Sequence, residues 1–400
     1  MPITITIKRI KELEGLPRFA YILAVLTVLG LGAGLYRLYA GLGNTTNLST
    51  VFPWGVWISF DLTTVAFAGA AFTLATLVYI FHMHDLHSAI RPTVLFGFLG
   101  YCSVLVILFF DLGRWDRFWH FLVYPNLSSA LFEVSWCIAI YSAILVYELS
   151  PVLLEKTKYK KLLYILQKIT IPMVIAGIIL SSMHQSSLGS LFVIMVPRLH
   201  PLWYSIIQPE FFLISSLAAG ISTIIIGSFV SIRLYGQTLS EKVIEKLGRL
   251  LPWILGFYLI LKLGELTLTG ELGLLFTSGI FSVLYLSELV IGVVIPIILF
   301  SIKKIRSNRT GALIGALFVA AGIVLNRFDV TWFAVKPLHG VTYFPALLEV
   351  ALLVGVISGV LLVYTLIAHF FPVFSETMPV KNSPKPESPS FHPAKSPAGD

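Results

Sequence analysis

The sequence predicts an all-α, polytopic membrane protein with about ten transmembrane helices. Of its 400 residues, 57% are hydrophobic and only 12% are charged, and the mean hydropathy is +0.88, whereas a typical soluble domain carries about 25% charged residues. Ten stretches are apolar over the roughly 20 residues that a helix needs to cross a bilayer core of about 30 Å. The Lys and Arg residues are divided unevenly between the segments that connect these stretches. Together these observations exclude a soluble multidomain protein.

The ten stretches follow one another with polar or Gly- and Pro-containing connections, and the ninth is the shortest. Because their number is even, both ends of the chain are expected on the same side of the membrane. The predicted spans are approximately Arg18–Leu38, Val56–Phe81, Thr93–Asp111, Ala130–Glu148, Leu162–Ser182, Glu210–Arg233, Leu251–Leu268, Phe276–Ile302, Gly311–Leu325 and Phe344–Phe370.

The basic residues indicate which side that is. Of the 28 Lys and Arg residues, 20 lie in the two terminal segments or after an even-numbered helix, seven lie on the opposite side, and Lys168 falls within the predicted fifth helix. Since cytoplasmic segments carry the excess of Lys and Arg, we expect a protein of the prokaryotic cytoplasmic membrane with both termini in the cytoplasm. Residues 1–17 form the cytoplasmic amino-terminal segment, and 18–370 form the membrane domain. The Pro-, Ser- and Lys-rich segment 371–400 is expected to be a disordered cytoplasmic tail.

Small residues suggest a subdivision of the membrane domain. The stretches 66–71 in helix two and 218–220 in helix six consist of Ala, Gly and Phe and allow close approach of neighbouring helices. They point to two related four-helix bundles, helices two to five and six to nine, with two peripheral helices. Small residues are common in membrane helices, so the pattern is equally compatible with no repeat.

The residue types argue against a redox centre held by the chain itself. Cys102 and Cys137 are too few for an iron–sulfur cluster, which takes about four thiolates. None of the nine histidines forms a pair spaced by thirteen or fourteen residues, as two-haem cytochrome b helices do, and there is no CxxCH motif. We therefore predict no metal site and no covalently or metal-bound cofactor. The basic clusters adjoin predicted membrane helices, so we also predict no nucleic-acid partner.

Ionisable residues concentrate at the non-cytoplasmic ends of the helices, where each is a functional candidate because charge is costly in lipid. Glu133 begins predicted helix four, and His184 ends predicted helix five. These two are the stronger candidates because their helices are expected to be neighbours in one bundle. Alternatively, each such carboxylate caps a helix or pairs with a loop arginine.

Three short motifs, all on the non-cytoplasmic side, stand out from the apolar background. They are PWGVW at 53–57, LGRWDRFW at 112–119 and HQSSLGSL at 184–191. Over about residues 18–370 the chain resembles the NrfD/polysulfide-reductase family of integral membrane subunits, and within it the hydrogenase-2 (HybB-type) and sulfite-reductase-associated membrane subunits. The resemblance implies a subunit of a respiratory oxidoreductase that exchanges electrons between a periplasmic, ferredoxin-like iron–sulfur subunit and the menaquinone or ubiquinone of the membrane. Periplasmic catalytic subunits and membrane lipids are the other implied partners.

This interpretation assigns roles to particular residues. Glu133 and His184 are predicted to exchange protons with the quinone, since its reduction consumes two protons with two electrons, and Tyr101 is predicted to bind it or to form a wall of its pocket. Asp61, Gln185 and Ser186 are predicted to orient the headgroup, and Trp54 and Trp57 to pack against it. Other residues are assigned to partner docking or loop stabilisation (Arg114, Arg117, Asp111 and His120) and to a proton path through the second bundle (Glu210, Glu265 and Glu288).

Two other classes of function remain open. A redox-silent anchor or proton-conducting subunit needs the same loops but no quinone site. A secondary transporter requires half-helices that meet at the membrane midplane, and the sequence has no matched pair of broken segments. The chain alone does not identify the electron donor, the direction of electron flow or the oligomeric state.

Overall fold

Ten long helices form the fold. A computed structural model describes residues 17–155, 157–196, 198–235, 239–336, 340–371 and 373, so almost all of the predicted amino-terminal segment and tail lie outside the described residues. The all-α prediction with ten candidate membrane-spanning helices is confirmed, and the chain is a multi-pass integral membrane protein. We label the helices α1 to α10: Arg18–Ala40, Val56–Ile80, His84–Asp111, Ala130–Leu154, Thr170–Val193, Gln208–Arg233, Glu241–Leu268, Ile280–Ser301, Arg309–Phe333 and Leu347–Phe370.

The helices pack in two groups of four and one pair. Helices α2, α3, α4 and α5 contact one another in a closed ring, which we call bundle A, and α6, α7, α8 and α9 form a second ring, bundle B. The bundles meet where α6 packs against α2 and α5 and where α9 packs against α2. Helices α1 and α10 pack along each other, and α10 also contacts α3. These contacts support the proposed division of the membrane domain into two bundles.

Small residues set several of these helix distances. A Cβ atom added at Gly30 of α1 would lie 2.3 Å from Cα of Gly355 in α10, and one added at Gly322 of α9 would lie 2.1 Å from Cα of Gly292 in α8. Such backbone contact is possible only without a side chain, as is typical of membrane helix pairs. The stretches singled out in α2 and α6 meet each other, because a Cβ atom at Gly220 would lie 3.2 Å from Cα of Ala70.

The connecting segments define two faces. The loop face carries the longer connections, 41–55, 112–129, 194–207, 269–279 and 334–346, with short helices at Leu42–Thr45, Trp115–Arg117, His120–Val123 and Leu274–Thr277. The terminal face carries both ends of the described chain and the short helices Lys160–Lys168 and Lys303–Arg306. At the loop face, a β-bridge between Leu199 and Val335 ties two of the long connections together.

Five predicted helix boundaries, in four helices, were wrong by more than two turns, and one of them is the start of α3, which is His84 rather than Thr93. Helix α5 was predicted over Leu162–Ser182 and runs over Thr170–Val193, because the Lys-rich segment before it forms the separate helix Lys160–Lys168. Lys168 therefore lies outside the membrane span. Helix α7 begins at Glu241 rather than Leu251, and α9 ends at Phe333 rather than Leu325. In α5 and α9 the missed turns are polar because they face a bundle interior.

Candidate functional site

A buried column of aromatic and polar side chains occupies the centre of bundle A. The His184 ring lies with its centroid 5.6 Å from the Tyr101 ring, and the Tyr101 ring lies 4.8 Å from that of Tyr141. All three side chains are at most 1% exposed. Within the described chain, neither the ring nitrogens of His184 nor the Tyr101 hydroxyl have a hydrogen-bond partner. Since buried polar atoms are normally hydrogen-bonded, these atoms are suited to bind a polar group.

A hydrogen bond connects this column to the loop face. The hydroxyl of Ser187 donates to Oε1 of Glu133 at 2.5 Å, which links α5 to the first turn of α4. Ser187 lies three residues after His184, on the same side of α5, and is buried, whereas Glu133 is exposed. The two predicted proton-exchange residues are therefore brought to one bundle but at different depths: Glu133 lies at its mouth, and His184 lies in its interior.

Gln185 and Asp61 lie at the contact between α5 and α2. The Gln185 amide nitrogen donates to the backbone oxygen of Val65 at 2.8 Å. Asp61 is 4% exposed, lies one turn before Val65 on α2, and has no hydrogen-bond partner for either carboxylate oxygen in the described part of the chain. Ser186 is only partly buried and points away from this contact, so its neighbour Ser187 makes the side-chain hydrogen bond to Glu133 instead.

The two tryptophans of the first motif have different environments. Trp54 packs edge-on against Phe192 of α5, with ring centroids 5.7 Å apart. Trp57 is 2% exposed, and its indole nitrogen donates to the backbone oxygen of Glu349 in α10 at 2.9 Å. Trp54 therefore faces α5 of bundle A, while Trp57 joins α2 to the peripheral helix α10.

Charged residues of the second motif lie on the loop between α3 and α4. Arg114 forms two hydrogen bonds to the carboxylate of Asp116, at 3.0 and 2.8 Å, and both side chains are exposed. Hydrogen bonding to Arg114 lowers the pKa of Asp116 to about 2. Arg117 is exposed, and His120 packs between the rings of Trp119 and Tyr124. The loop also exposes much apolar surface: Trp115, Phe118, Trp119, Leu122, Val123, Tyr124 and Leu127.

Asp111 is separate from this exposed group. It ends α3 close enough to Arg37 and Asp61 to interact with both electrostatically. Arg37, which ends α1 and is 2% exposed, donates to the backbone oxygen of Leu112 at 2.6 Å. This places Asp111 at the junction of α1, α2 and α3 rather than on the exposed loop.

Bundle B contains a buried charged network in its loop-face half. Glu288 of α8 accepts hydrogen bonds from the indole of Trp203 at 2.8 Å and from the amide of Asn326 at 2.9 Å. Asn326 is also bonded to Arg327, which donates to the Ser215 hydroxyl at 2.8 Å. Of the other residues predicted for a proton path, Glu265 is partly buried on α7, and Glu210 is exposed at the start of α6.

Several members of this network were missed by the sequence analysis. Lys262 is 2% exposed and lies over three aromatic rings, with its Nζ atom 4.9 Å from the Phe211 centroid, and Asp329 is fully buried. Asn326, Arg327 and Asp329 follow the stretch at which helix nine was predicted to end. The sequence contained a signal for these residues. Closely spaced polar residues after an apolar stretch are also typical of a helix that continues inside a bundle.

Comparisons with known proteins agree with this architecture. Residues 44–335 match the family model described as polysulphide reductase, NrfD. The probable Ni/Fe-hydrogenase 2 b-type cytochrome subunit of Escherichia coli is 31% identical over 84% of this chain and 87% of its own length. The menaquinone reductase integral membrane subunit of Nitratidesulfovibrio vulgaris is 29% identical over 86% and 90% of the two chains. A selenate reductase subunit of Mesobacillus selenatarsenatis is 24% identical over 93% and 97%.

One of these relatives corrects a prediction. The E. coli relative is named a b-type cytochrome subunit, which is a haem protein, and this contradicts the prediction that the chain holds no bound cofactor. That prediction depended on the absence of only two arrangements of haem ligands: histidine pairs at one spacing and the CxxCH motif.

Within the described chain, His184 is the one histidine buried inside a bundle, and its surroundings show whether a haem fits there. A haem needs an axial ligand and space for the macrocycle beside it. The ring of His184 packs instead against Tyr101, which packs against Tyr141. These residues, as they are packed, do not fit a haem.

The family match covers more than half of the chain, and the E. coli relative aligns over most of both proteins. The named relatives are subunits of oxidoreductases that act on hydrogen, menaquinone or selenate. The ten-helix architecture and these matches establish that the chain belongs to the NrfD family of integral membrane proteins.

Proposed function

We propose that this chain is the quinone-reactive membrane subunit of a respiratory oxidoreductase complex. The observation that carries the proposal is the pair His184 and Tyr101, whose buried polar atoms have no hydrogen-bond partner in the described chain and lie below the Ser187–Glu133 hydrogen bond. A quinone headgroup presents two carbonyl oxygens that accept hydrogen bonds from such groups. The menaquinone reductase relative supports menaquinone as the substrate, with ubiquinone as the alternative.

The arrangement suits a two-electron, two-proton reaction. Reduction of the quinone places a proton on each carbonyl oxygen, and positioned side chains accelerate such transfers. In our proposal the packed side chains of His184 and Tyr101 move apart to admit the headgroup, and the imidazole and the hydroxyl then bind its carbonyl oxygens. Asp61 and Gln185 orient the headgroup from the α2 side, and Glu133 exchanges protons at the mouth of the bundle. Ser187 holds the Glu133 carboxylate towards the interior.

The electron partner in this proposal is a periplasmic, ferredoxin-like iron–sulfur subunit that docks on the loop face, with catalytic subunits beyond it. The exposed aromatic residues and the Arg114–Asp116 pair of the 112–129 loop form a surface of mixed character that suits a protein partner. The excess of Lys and Arg on the terminal face supports an orientation with both termini in the cytoplasm.

A second candidate function is proton conduction, and the network of bundle B favours it. Glu288, Lys262, Arg327 and Asp329 are ionisable, buried and close together, and intramembrane groups of this kind commonly mark proton relays. The network lies in the loop-face half of the bundle, so this candidate concerns proton release or uptake at that face.

Glu133→Gln tests the main proposal. The glutamine amide oxygen retains an acceptor for the Ser187 hydroxyl, while the exchangeable proton is lost. We expect an assembled complex whose quinone-linked electron transfer is reduced about 100-fold, within the range that a general acid or base contributes. The assay is reduction of menaquinone by the complete complex, purified by pull-down and driven by the substrate of the catalytic subunits that co-purify.

Glu271→Gln is the matched control, since it removes a carboxylate from the loop face beside bundle B. We expect it to retain turnover within about twofold. Normal turnover in a correctly assembled Glu133→Gln complex contradicts the assignment of Glu133. A wild-type complex that contains redox partners but neither reduces nor binds quinone favours proton conduction or anchoring.

A further inference from the structure

A cavity of about 90 Å³ opens at the terminal-face end of bundle A. All four helices of the bundle contribute to its wall, which combines small and aliphatic side chains with the hydroxyl-bearing residues Tyr79, Tyr147 and Thr170. Its carboxylate is that of Glu148, on α4. Because one water molecule needs only about 10–15 Å³ of such volume, the cavity has room for several water molecules beside this carboxylate.

Glu148 is not explained by an ion pair. The five ion pairs of the described chain involve other residues, and the nearby Arg91 is paired with Glu155 at 3.0 Å. A carboxylate that faces a bundle interior without a basic partner is costly in a membrane protein and is typical of a functional group.

The Glu148 side of the cavity lies near the column around His184, along α4 and α5. Tyr141 lies seven residues before Glu148, two turns away on the same face of α4. A Cβ atom at Gly177 would lie 3.2 Å from the Ile144 side chain, 3.4 Å from Oε1 of Glu148 and 3.8 Å from the ring of Tyr141. The two polar side chains therefore border one point on α5, with Ile144 between them. From Tyr141 the column continues through Tyr101 to His184, with ring centroids 4.8 and 5.6 Å apart.

The corresponding half of bundle B contains no comparable route among its described residues. Its interior is formed there by apolar side chains that are completely buried: Leu247, Leu251, Phe300, Ala312 and Ala316. The charged network around Glu288 lies on the other side of this apolar layer. Of the two bundles, bundle A therefore has the polar groups that reach towards the terminal face.

We propose that Glu148 and its cavity are the proton entrance from the terminal face to the quinone site of bundle A. This inference rests on the proposed function. For each quinone reduced, two electrons arrive from the iron–sulfur partner. One proton enters at Glu148 and moves past Tyr141 and Tyr101, and the second arrives through Glu133, so that two O–H bonds form on the quinone. Reduction then removes protons from the compartment on the terminal face.

The test measures the side of the membrane from which protons are taken. The complete complex is reconstituted with menaquinone in phosphatidylethanolamine–phosphatidylglycerol vesicles that contain the pH dye pyranine, with valinomycin and potassium to dissipate the membrane potential. A membrane-impermeant electron donor for the catalytic subunits, added outside, drives only those complexes whose catalytic subunits face outwards, so the terminal face of each active complex faces the lumen. We expect the lumen to become alkaline during turnover and a protonophore to abolish this change.

Glu148→Gln is expected to slow both lumen alkalinisation and quinone reduction at least tenfold, and Glu148→Asp to restore part of each. Glu155→Gln, directly after the end of α4 and outside the residues that line the cavity, is the matched control. Its carboxylate is paired with Arg91, and the variant is expected to remain within about twofold of the wild type. Reduction of quinone by the wild type without a change in lumen pH overturns the inference but leaves the proposed function intact, and this measurement requires no variant. Unchanged alkalinisation in Glu148→Gln also overturns it. Failure of the wild-type complex to reduce quinone at all refutes the proposed function itself.

Discussion

Gly322→Ala should disrupt the buried charged network of bundle B, although Gly322 itself is not a member of that network. Helices α8 and α9 are antiparallel, and their contact pairs follow one register: Glu288 bonds Asn326 at 2.9 Å, and four residues along each helix Gly292 touches Gly322. The glycine contact therefore sets the spacing that allows the hydrogen bond.

The size of the effect follows from the geometry. The new Cβ atom would lie 2.1 Å from Cα of Gly292, whereas carbon atoms in contact are separated by about 3.5–4.0 Å. The helices must move apart by more than about 1 Å, which stretches the bond between Asn326 and Glu288. Overpacking of this kind costs about 1–3 kcal/mol, and loss of a hydrogen bond to a charged group costs about 1.5–3 kcal/mol. We expect a destabilisation of about 3 kcal/mol or more.

The assay is thermal unfolding of the detergent-solubilised protein, followed by circular dichroism. Gly256→Ala is the matched control, because a Cβ atom at Gly256 of α7 has no neighbour within 4 Å, and replacing glycine by alanine in a helix is otherwise stabilising by about 0.5–1 kcal/mol. If the melting temperature of Gly322→Ala is equal to that of Gly256→Ala, the glycine contact does not set the helix spacing, and the reasoning is refuted.

Two further predictions concern the loop face. Trp57→Phe keeps an aromatic ring but removes the 2.9 Å hydrogen bond to the backbone of Glu349; we expect a loss of about 1 kcal/mol, seen as a lower melting temperature, and an unchanged melting temperature would contradict this. Burial and the nearby Lys336 lower the pKa of His200 below its ordinary value of 6.5, so the unfolded chain takes up the proton first and stability falls as the pH decreases through 6.5. His200→Phe retains the stacking on Phe281 and should show a smaller decrease in melting temperature between pH 7.5 and 5.5 than the wild type; equal decreases would exclude His200 as the cause.

The fold was largely predictable because the bilayer imposes a simple requirement. Each spanning helix needs about 20 apolar residues, so all ten helices were found. Their ends were not always found, because hydropathy averages over a helix and does not distinguish lipid-facing from interior positions. His184 and Gln185 lower the average in α5 although they lie well inside it, and Arg327 and Asp329 do the same in α9.

The candidate site was predictable in its residue types and less so in its contacts. Polar residues at the ends of two neighbouring helices identified Glu133 and His184, but the sequence does not specify depth, and Glu133 lies at the surface while His184 is buried. The sequence also did not predict which of the two adjacent serines of α5 faces Glu133. One residue, or 100°, separates Ser186 from Ser187, and only Ser187 reaches Glu133. Trp57 points towards α10 because its indole bonds to a residue almost 300 positions later in the sequence. A local sequence pattern does not predict such a contact.

The contact between Gly30 and Gly355 has a consequence for how the chain is built. During synthesis α1 enters the membrane before α10, yet most of the surface on which it packs is supplied by α10, more than 300 residues later. Until then the early loop also lacks its partner, because the backbone nitrogen of Asn47 is bonded to the carboxylate of Glu349 at 2.8 Å. The last helix thus completes the packing of the first, and a chain that ends before α10 leaves the surface of α1 around Gly30 to lipid.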